Sequence, residues 1–241
     1  MLEPWRNCTI IKIENETATT RRFWIEVEGI DDFNFTSGQF ITLDLPIHEQ
    51  KNKRWRSYSI ASAPNGTNII ELIIVLLEGG AGTTYLFNEV VVGSTLLLRG
   101  PQGKFVLPET IDKDLFLVCT GTGIAPFRSM VQYMHHNNIP HQNIHLIFGC
   151  RTLADGLYMN ELSELSKQHS NIFFHPAFSR ETSVPEGMHT GYVHHVYESL
   201  TTEKQPALFY LCGWKNMVDE ARARIAALGY DKKNIHLELY G

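Results

Sequence analysis

Short apolar runs, broken by turn-forming residues, punctuate the first 108 positions of the chain at 9–13, 20–27, 39–45, 55–60, 69–77 and 95–99. Successive strand side chains point to opposite faces, and several short strands at this spacing predict a six-stranded antiparallel β-barrel. The pattern changes between Pro108 and Asp112. Beyond it, apolar runs of strand length at 115–119, 144–148, 172–175, 208–211 and 235–239 alternate with segments of helical period at 125–137, 160–168, 193–199 and 218–228. That alternation predicts an α/β doubly wound parallel sheet covered by helices, with ligands at the carboxyl ends of its strands. The expected division is therefore 1–108 and 112–241, each half long enough for its own core.

Composition narrows the class. Charged residues are 20% and hydrophobic residues 43% of 241 positions, which fits neither a disordered chain nor a membrane span. The net charge of −5 gives no bias toward nucleic acid. The opening Met1-Leu2-Glu3-Pro4-Trp5-Arg6 lacks the apolar stretch of a signal peptide, so a cytoplasmic location is expected. Cys8, Cys119, Cys150 and Cys212 stand singly, without Cys-x-x-Cys spacing, and the eleven histidines show no ligand spacing, so no metal site is expected.

Three segments carry candidate chemistry. In Arg56-Ser57-Tyr58-Ser59-Ile60-Ala61-Ser62, a strand would turn Arg56 and Tyr58 one way and Ser57 and Ser59 the other. Arg56 offers a planar guanidinium for a phosphate, Tyr58 a flat ring and Ser59 a hydroxyl donor. Taken alone, the segment also fits a polar strand with one buried aromatic. The run 72–77 ends in Gly79-Gly80-Ala81-Gly82-Thr83, a strand-to-helix turn whose backbone N–H groups suit an anion, or an ordinary turn with Thr83 as helix cap. In Thr120-Gly121-Thr122-Gly123-Ile124-Ala125-Pro126 a second glycine turn follows a buried strand. Pro126 stands where a third glycine would complete the dinucleotide fingerprint, and it suits the first turn of a helix.

In this order, with Gly100-Pro101-Gln102-Gly103-Lys104-Phe105 between them, the segments resemble the ferredoxin-NADP reductase family over nearly the whole chain. The resemblance implies that Tyr58 packs on the isoalloxazine, Arg56 holds the flavin phosphate, Ser59 lies near the redox nitrogen, and Gly80, Gly82 and Thr83 hold the pyrophosphate of FAD. Many relatives carry a basic residue where Val75 and Leu76 stand, which leaves FMN open beside FAD. Thr120, Gly121, Gly123 and Pro126 would cradle the nicotinamide coenzyme's pyrophosphate. Ser179, Arg180 and Arg151 would bind a 2′-phosphate, which favours NADP(H), although both arginines also fit solvated loops. Tyr192 would stack on the adenine, at a position where bacterial relatives often carry Arg.

Cys212-Gly213-Trp214-Lys215-Asn216-Met217 matches the family's Cys-Gly-x-x-x-Met element, with Cys212 beside the nicotinamide; a buried strand-end cysteine is its structural counterpart. Glu238 would aid proton transfer and Tyr240 cover the flavin, or the two would simply end the last strand. The implied activity is hydride exchange between NADP(H) and FAD, with single electrons passed to a ferredoxin- or flavodoxin-like carrier that Lys51, Lys53 and Arg54 could attract. The missing iron–sulfur cysteine run argues against a reductase with its own ferredoxin domain. An NADH-dependent reductase component of an oxygenase, and a flavin-binding relay subunit without nicotinamide turnover, are the rival readings.

Overall fold

In a computed structural model, residues 3–240 are described; Met1, Leu2 and the Gly241 that follows Tyr240 lie outside the described residues. The chain divides into two compact units: Met1–Leu107 with Ala125–Asn137, and Pro108–Ile124 with Asn138–Gly241.

The first unit contains β1 (Trp5–Asn15), β2 (Thr20–Val27), β3 (Phe40–Asp44), β4 (Trp55–Ser59), β5 (Ile69–Val75) and β6 (Thr95–Gln102), with the helix α1 (Ala81–Asn88) after β5. They form one six-stranded sheet in the order β4-β3-β6-β1-β2-β5, with antiparallel pairing throughout. Alternation sends Phe23, Ile25, Leu43, Leu72 and Leu98 into a common core. Burying side chains of this size contributes about 1.5–3 kcal/mol each. The outer strands β4 and β5 share no ladder. Their seam is crossed where Ala61 N donates to Glu71 O at 2.8 Å and Glu71 N donates to Ser62 Oγ at 3.0 Å.

The second unit is built on β7 (Asp114–Thr120), β8 (Ile144–Cys150), β9 (Ile172–Phe178), β10 (His189–Thr190), β11 (Ala207–Trp214) and β12 (Ile235–Tyr240). All pairings are parallel, in the order β10-β9-β8-β7-β11-β12. Helix α2 (Ile124–His136) follows β7, α3 (Met159–Gln168) follows β8, α4 (Val193–Leu200) follows β10 and α5 (Lys215–Ala227) follows β11. Buried residues of α4 and α5 join Phe116, Ile147, Phe209 and Leu211 in one core, and α3 packs on β9.

Two features depart from the sequence expectation. The two-residue strand β10 has no periodicity of its own and exists by pairing with Ala177 and Phe178 of β9. Nearly all of α2, expected within 112–241, groups with the barrel strands. Phe127 meets Phe105 at 5.8 Å between ring centroids, and Ser37 Oγ donates to Ser129 O at 3.1 Å.

Candidate functional site

In the first unit the candidate residues collect where β4 meets the start of α1. Arg56 is half-buried, and its Nη1 donates to Lys53 O at 3.0 Å and Trp55 O at 2.8 Å. These bonds hold the side chain over the first turn of α1. A Cβ added to Gly82 would stand 2.9 Å from Arg56 Cγ and 3.1 Å from its Nε, so only glycine lets the guanidinium lie there. Gly80 caps α1 without a side-chain acceptor and the first turn contains no acidic residue. The leading N–H groups of a helix have no partners within it, and here a guanidinium stands beside them. The arrangement fits a flavin's phosphate.

The hydroxyl of Thr83 closes the turn itself. It is buried, accepts from Leu77 N at 3.1 Å and donates to Gly80 O at 3.1 Å, which leaves its backbone N–H as its offer to an anion. Tyr58 packs against the barrel core, and burial pushes its phenol up to about 12 against the lowering effect of Arg56. Ser59 is buried beside it. Lys51 and Lys53 are exposed, whereas Arg54 is held by Asp44 at 2.7 Å.

In the second unit every candidate lies along one edge, the carboxyl ends of the parallel strands. Gly121 has φ 54°, a left-handed conformation that turns the chain sharply after β7. A Cβ on Gly123 would meet Cys212 O at 2.5 Å and Cys212 C at 2.8 Å. One on Gly213 would meet Thr120 Oγ1 at 2.5 Å. The two glycine elements read separately in sequence thus pack backbone against backbone. The Thr120 hydroxyl is buried and takes no hydrogen bond among the described residues, an orphan polar atom in the turn. Pro126 falls in the first turn of α2, as its missing N–H allows.

Two strands away, Arg180 N donates to Arg151 O at 2.9 Å and Ser179 N to Cys150 O at 3.0 Å, tying the ends of β9 and β8 together. Arg151 and Arg180 are exposed, and neither guanidinium forms an ion pair among the described residues. Two cations with unengaged donors beside the Ser179 hydroxyl suit a dianionic phosphate. Tyr192, 65% exposed, caps α4 just beyond β10, where Gly191 N donates to Phe178 O at 2.9 Å.

Cys212 is fully buried, in register with Cys119 on one side and Glu238 on the other. Burial pushes its thiol well above the usual range, Glu238 and Cys119 add to this, and a hydrogen bond with the Tyr240 side chain opposes it. Such a thiol serves as a compact packing group and is no nucleophile. Tyr240 and Glu238 are half-buried on β12, and Tyr240 pairs in register with the exposed Trp214.

Two clusters escaped the sequence reading. Glu71, inside the apolar strand β5, is held by Arg22 Nε at 2.6 Å and by Arg128 Nη1 at 3.0 Å. Its signal was present: a lone carboxylate in Ile-Ile-Glu-Leu-Ile-Ile-Val must find a cation. In the second unit His145 Nδ1 and His175 Nε2 lie 3.2 Å apart, with the His189 ring 5.6 Å beyond His175. Burial, reinforced by these neighbours, lowers His175 to about 4.

Known proteins share both halves. The oxidoreductase FAD-binding domain matches residues 7–107 and the oxidoreductase NAD-binding domain matches residues 117–223. The two domains define a flavin-dependent oxidoreductase that uses a nicotinamide coenzyme. Ferredoxin-NADP reductase B of Sorangium cellulosum (strain So ce56) is 33% identical over 215 residues, 86% of either chain. The chain belongs to the ferredoxin-NADP reductase family. The electron transfer component of anthranilate 1,2-dioxygenase from Acinetobacter baylyi (strain ATCC 33305 / BD413 / ADP1) is 29% identical over 196 residues, 81% of this chain and 55% of that protein. The chain thus spans little more than half the length of that relative. A solved ferredoxin NADP+ reductase from Neisseria gonorrhoeae, with bound FAD and NADP, matches with a TM-score of 0.82 at 25% identity, covering 98% of each chain. No helix among the described residues is long and apolar enough to cross a membrane.

Proposed function

We propose that the protein exchanges a hydride between NADP(H) and FAD and passes single electrons to a small carrier protein of the ferredoxin or flavodoxin kind, as a cytoplasmic enzyme. Bound FAD would supply the interconversion of two-electron and one-electron chemistry. The chain's own residues bind and orient. Arg56 and the first turn of α1 hold the flavin phosphate, and Tyr58 presents its ring while Ser59 presents its hydroxyl. The turn at residues 120–123 receives the coenzyme pyrophosphate, Ser179, Arg151 and Arg180 receive the 2′-phosphate, and Tyr192 offers its exposed ring to the adenine. Cys212 is a small, soft contact for the nicotinamide, backed by Tyr240, and Glu238, its register partner on β12, offers a carboxylate for proton exchange. Lys51 and Lys53 offer an acidic carrier an attractive surface.

The observation that carries the NADP(H) preference is the exposed pair Arg151 and Arg180, joined through their backbones and free of carboxylate partners among the described residues. The dioxygenase electron transfer component among the relatives supports a second reading, an NADH-dependent reductase that serves an oxygenase. Steady-state rates with the two coenzymes separate them. NADPH should be preferred, and Arg180→Ala should raise KM for NADPH by about tenfold or more, the value of one charged hydrogen bond, with little change for NADH. Equal effects on both coenzymes would refute the phosphate assignment.

A further inference from the structure

We propose that Arg128 is a positioning residue of the flavin site: its contact with Ala61 and its pairing with Glu71 lock the seam of the barrel just beyond the Tyr58 and Ser59 end of β4. The inference rests on the reading that Tyr58 and Ser59 face the flavin.

Arg128 lies in the nicotinamide-loop motif by sequence, yet only 5% of it is exposed and it sits within the barrel unit. A single nitrogen, Nη1, donates to Ala61 O at 2.9 Å and to Glu71 Oε2 at 3.0 Å. Ala61 is fully buried, and its own N–H donates across the seam to Glu71 O at 2.8 Å. Glu71 N completes the circuit by donating to Ser62 Oγ at 3.0 Å, and Arg22 Nε occupies the second carboxylate oxygen at 2.6 Å.

No ladder joins β4 to β5, so this circuit is what fixes the chain as it leaves Ser59. Ile60, also fully buried, is held from the other side by Gln39 O at 3.0 Å. Without Arg128 the Ala61 carbonyl loses its donor in a dry environment and the carboxylate keeps one cation of two. Both changes loosen the segment that directly follows Tyr58 and Ser59. A buried Arg–Glu–Arg arrangement is weak as a source of stability, because its desolvation offsets its attraction, and it is better suited to fixing geometry.

The test measures FAD dissociation constants by flavin fluorescence, together with amide hydrogen exchange of residues 57–62 in the FAD-loaded full-length protein. The variants are Arg128→Met, Arg128→Lys and the double variant Glu71→Gln/Arg128→Met, each checked for folding by circular dichroism. Arg128→Met should weaken FAD binding by about tenfold or more and speed exchange at 57–62. The lysine variant, which keeps a donor for Ala61 O, should stay close to wild type. The double variant should not recover, because neutralising residue 71 does not return a donor to the Ala61 carbonyl. If wild-type protein binds FAD and Arg128→Met binds it equally well, the positioning role is wrong. Full recovery in the double variant would also overturn it, by reducing the effect to the second cation that Glu71 loses. If wild-type protein binds no FAD, the failure belongs to the flavin assignment. Should Arg128→Met not fold, the lysine variant decides: loss of FAD affinity with unchanged exchange at 57–62 refutes the proposal.

Discussion

Replacing Gly123 with alanine probes the coenzyme turn where the structure is least able to yield. The added Cβ would stand 2.5 Å from Cys212 O, 2.8 Å from Cys212 C and 3.0 Å from the Gly213 Cα, all backbone atoms at the end of β11. Cys212 is fully buried and laddered to Cys119 and Glu238, so no flexible side chain can move aside. Relief requires the turn to lift from β11 by roughly 0.5–1 Å, at an overpacking cost of about 1–3 kcal/mol in stability. A displacement of that size at a phosphate seat also spoils the aim of its N–H donors, and a misplacement of about 1 Å can cost about a hundredfold. Urea melts and isothermal titration with 2′,5′-ADP and with NADP+ would measure both effects. The expected result is a lower unfolding midpoint and NADP+ binding weakened at least about tenfold, with FAD retained. Gly66→Asn, outside both candidate sites, is the control: the left-handed φ of 72° tolerates asparagine, and nothing lies within 4 Å of the new Cβ. NADP+ binding unchanged in Gly123→Ala would refute the claim that this turn is the coenzyme's phosphate seat.

Three further perturbations address other parts of the account. Arg56→Ala should weaken FAD binding by about 1.5–3 kcal/mol through the lost charged contact, and undiminished flavin retention on gel filtration would count against that role. His175 is held neutral by burial, down to about 4 from an ordinary 6.5, so its contribution to stability is complete above pH 6.5 and is lost as the pH falls toward 4. The loss reaches up to about 3 kcal/mol, and melting curves of His175→Gln should flatten over that window; an unchanged pH dependence would exclude His175 as its source. Cys150 is half-buried, and burial together with Asp155 and Glu181 pushes its thiol up to about 12, so iodoacetamide at neutral pH should label it far more slowly than unfolded protein, and rapid labelling would contradict this.

Local chemistry was legible in the sequence wherever it repeats with a period or marks a turn. The six barrel strands and five principal parallel strands are present because alternation and apolar runs report burial directly, and the glycine turns fall at strand ends because only glycine tolerates the close approaches at 82, 123 and 213. Placing each motif at the carboxyl end of a parallel strand brings Arg151 and Arg180 together, whereas the packing of residues 120–123 against Gly213 is visible only in the structure. What escaped depends on partners far apart in sequence. Glu71 and Arg128 meet across 57 positions, and β10 has only two residues and borrows its conformation from β9. The sequence offers Thr83 as a pyrophosphate ligand or a helix cap, and in the structure its hydroxyl closes the turn at Leu77 and Gly80, a choice that geometry makes among several partners the sequence allows.

The most direct test of the central claim is an anaerobic absorption titration of the FAD-loaded protein with NADPH. The flavin band should bleach as NADPH is added and return when an electron acceptor is supplied. A band that NADPH leaves intact, in protein whose flavin dithionite still reduces, would contradict it.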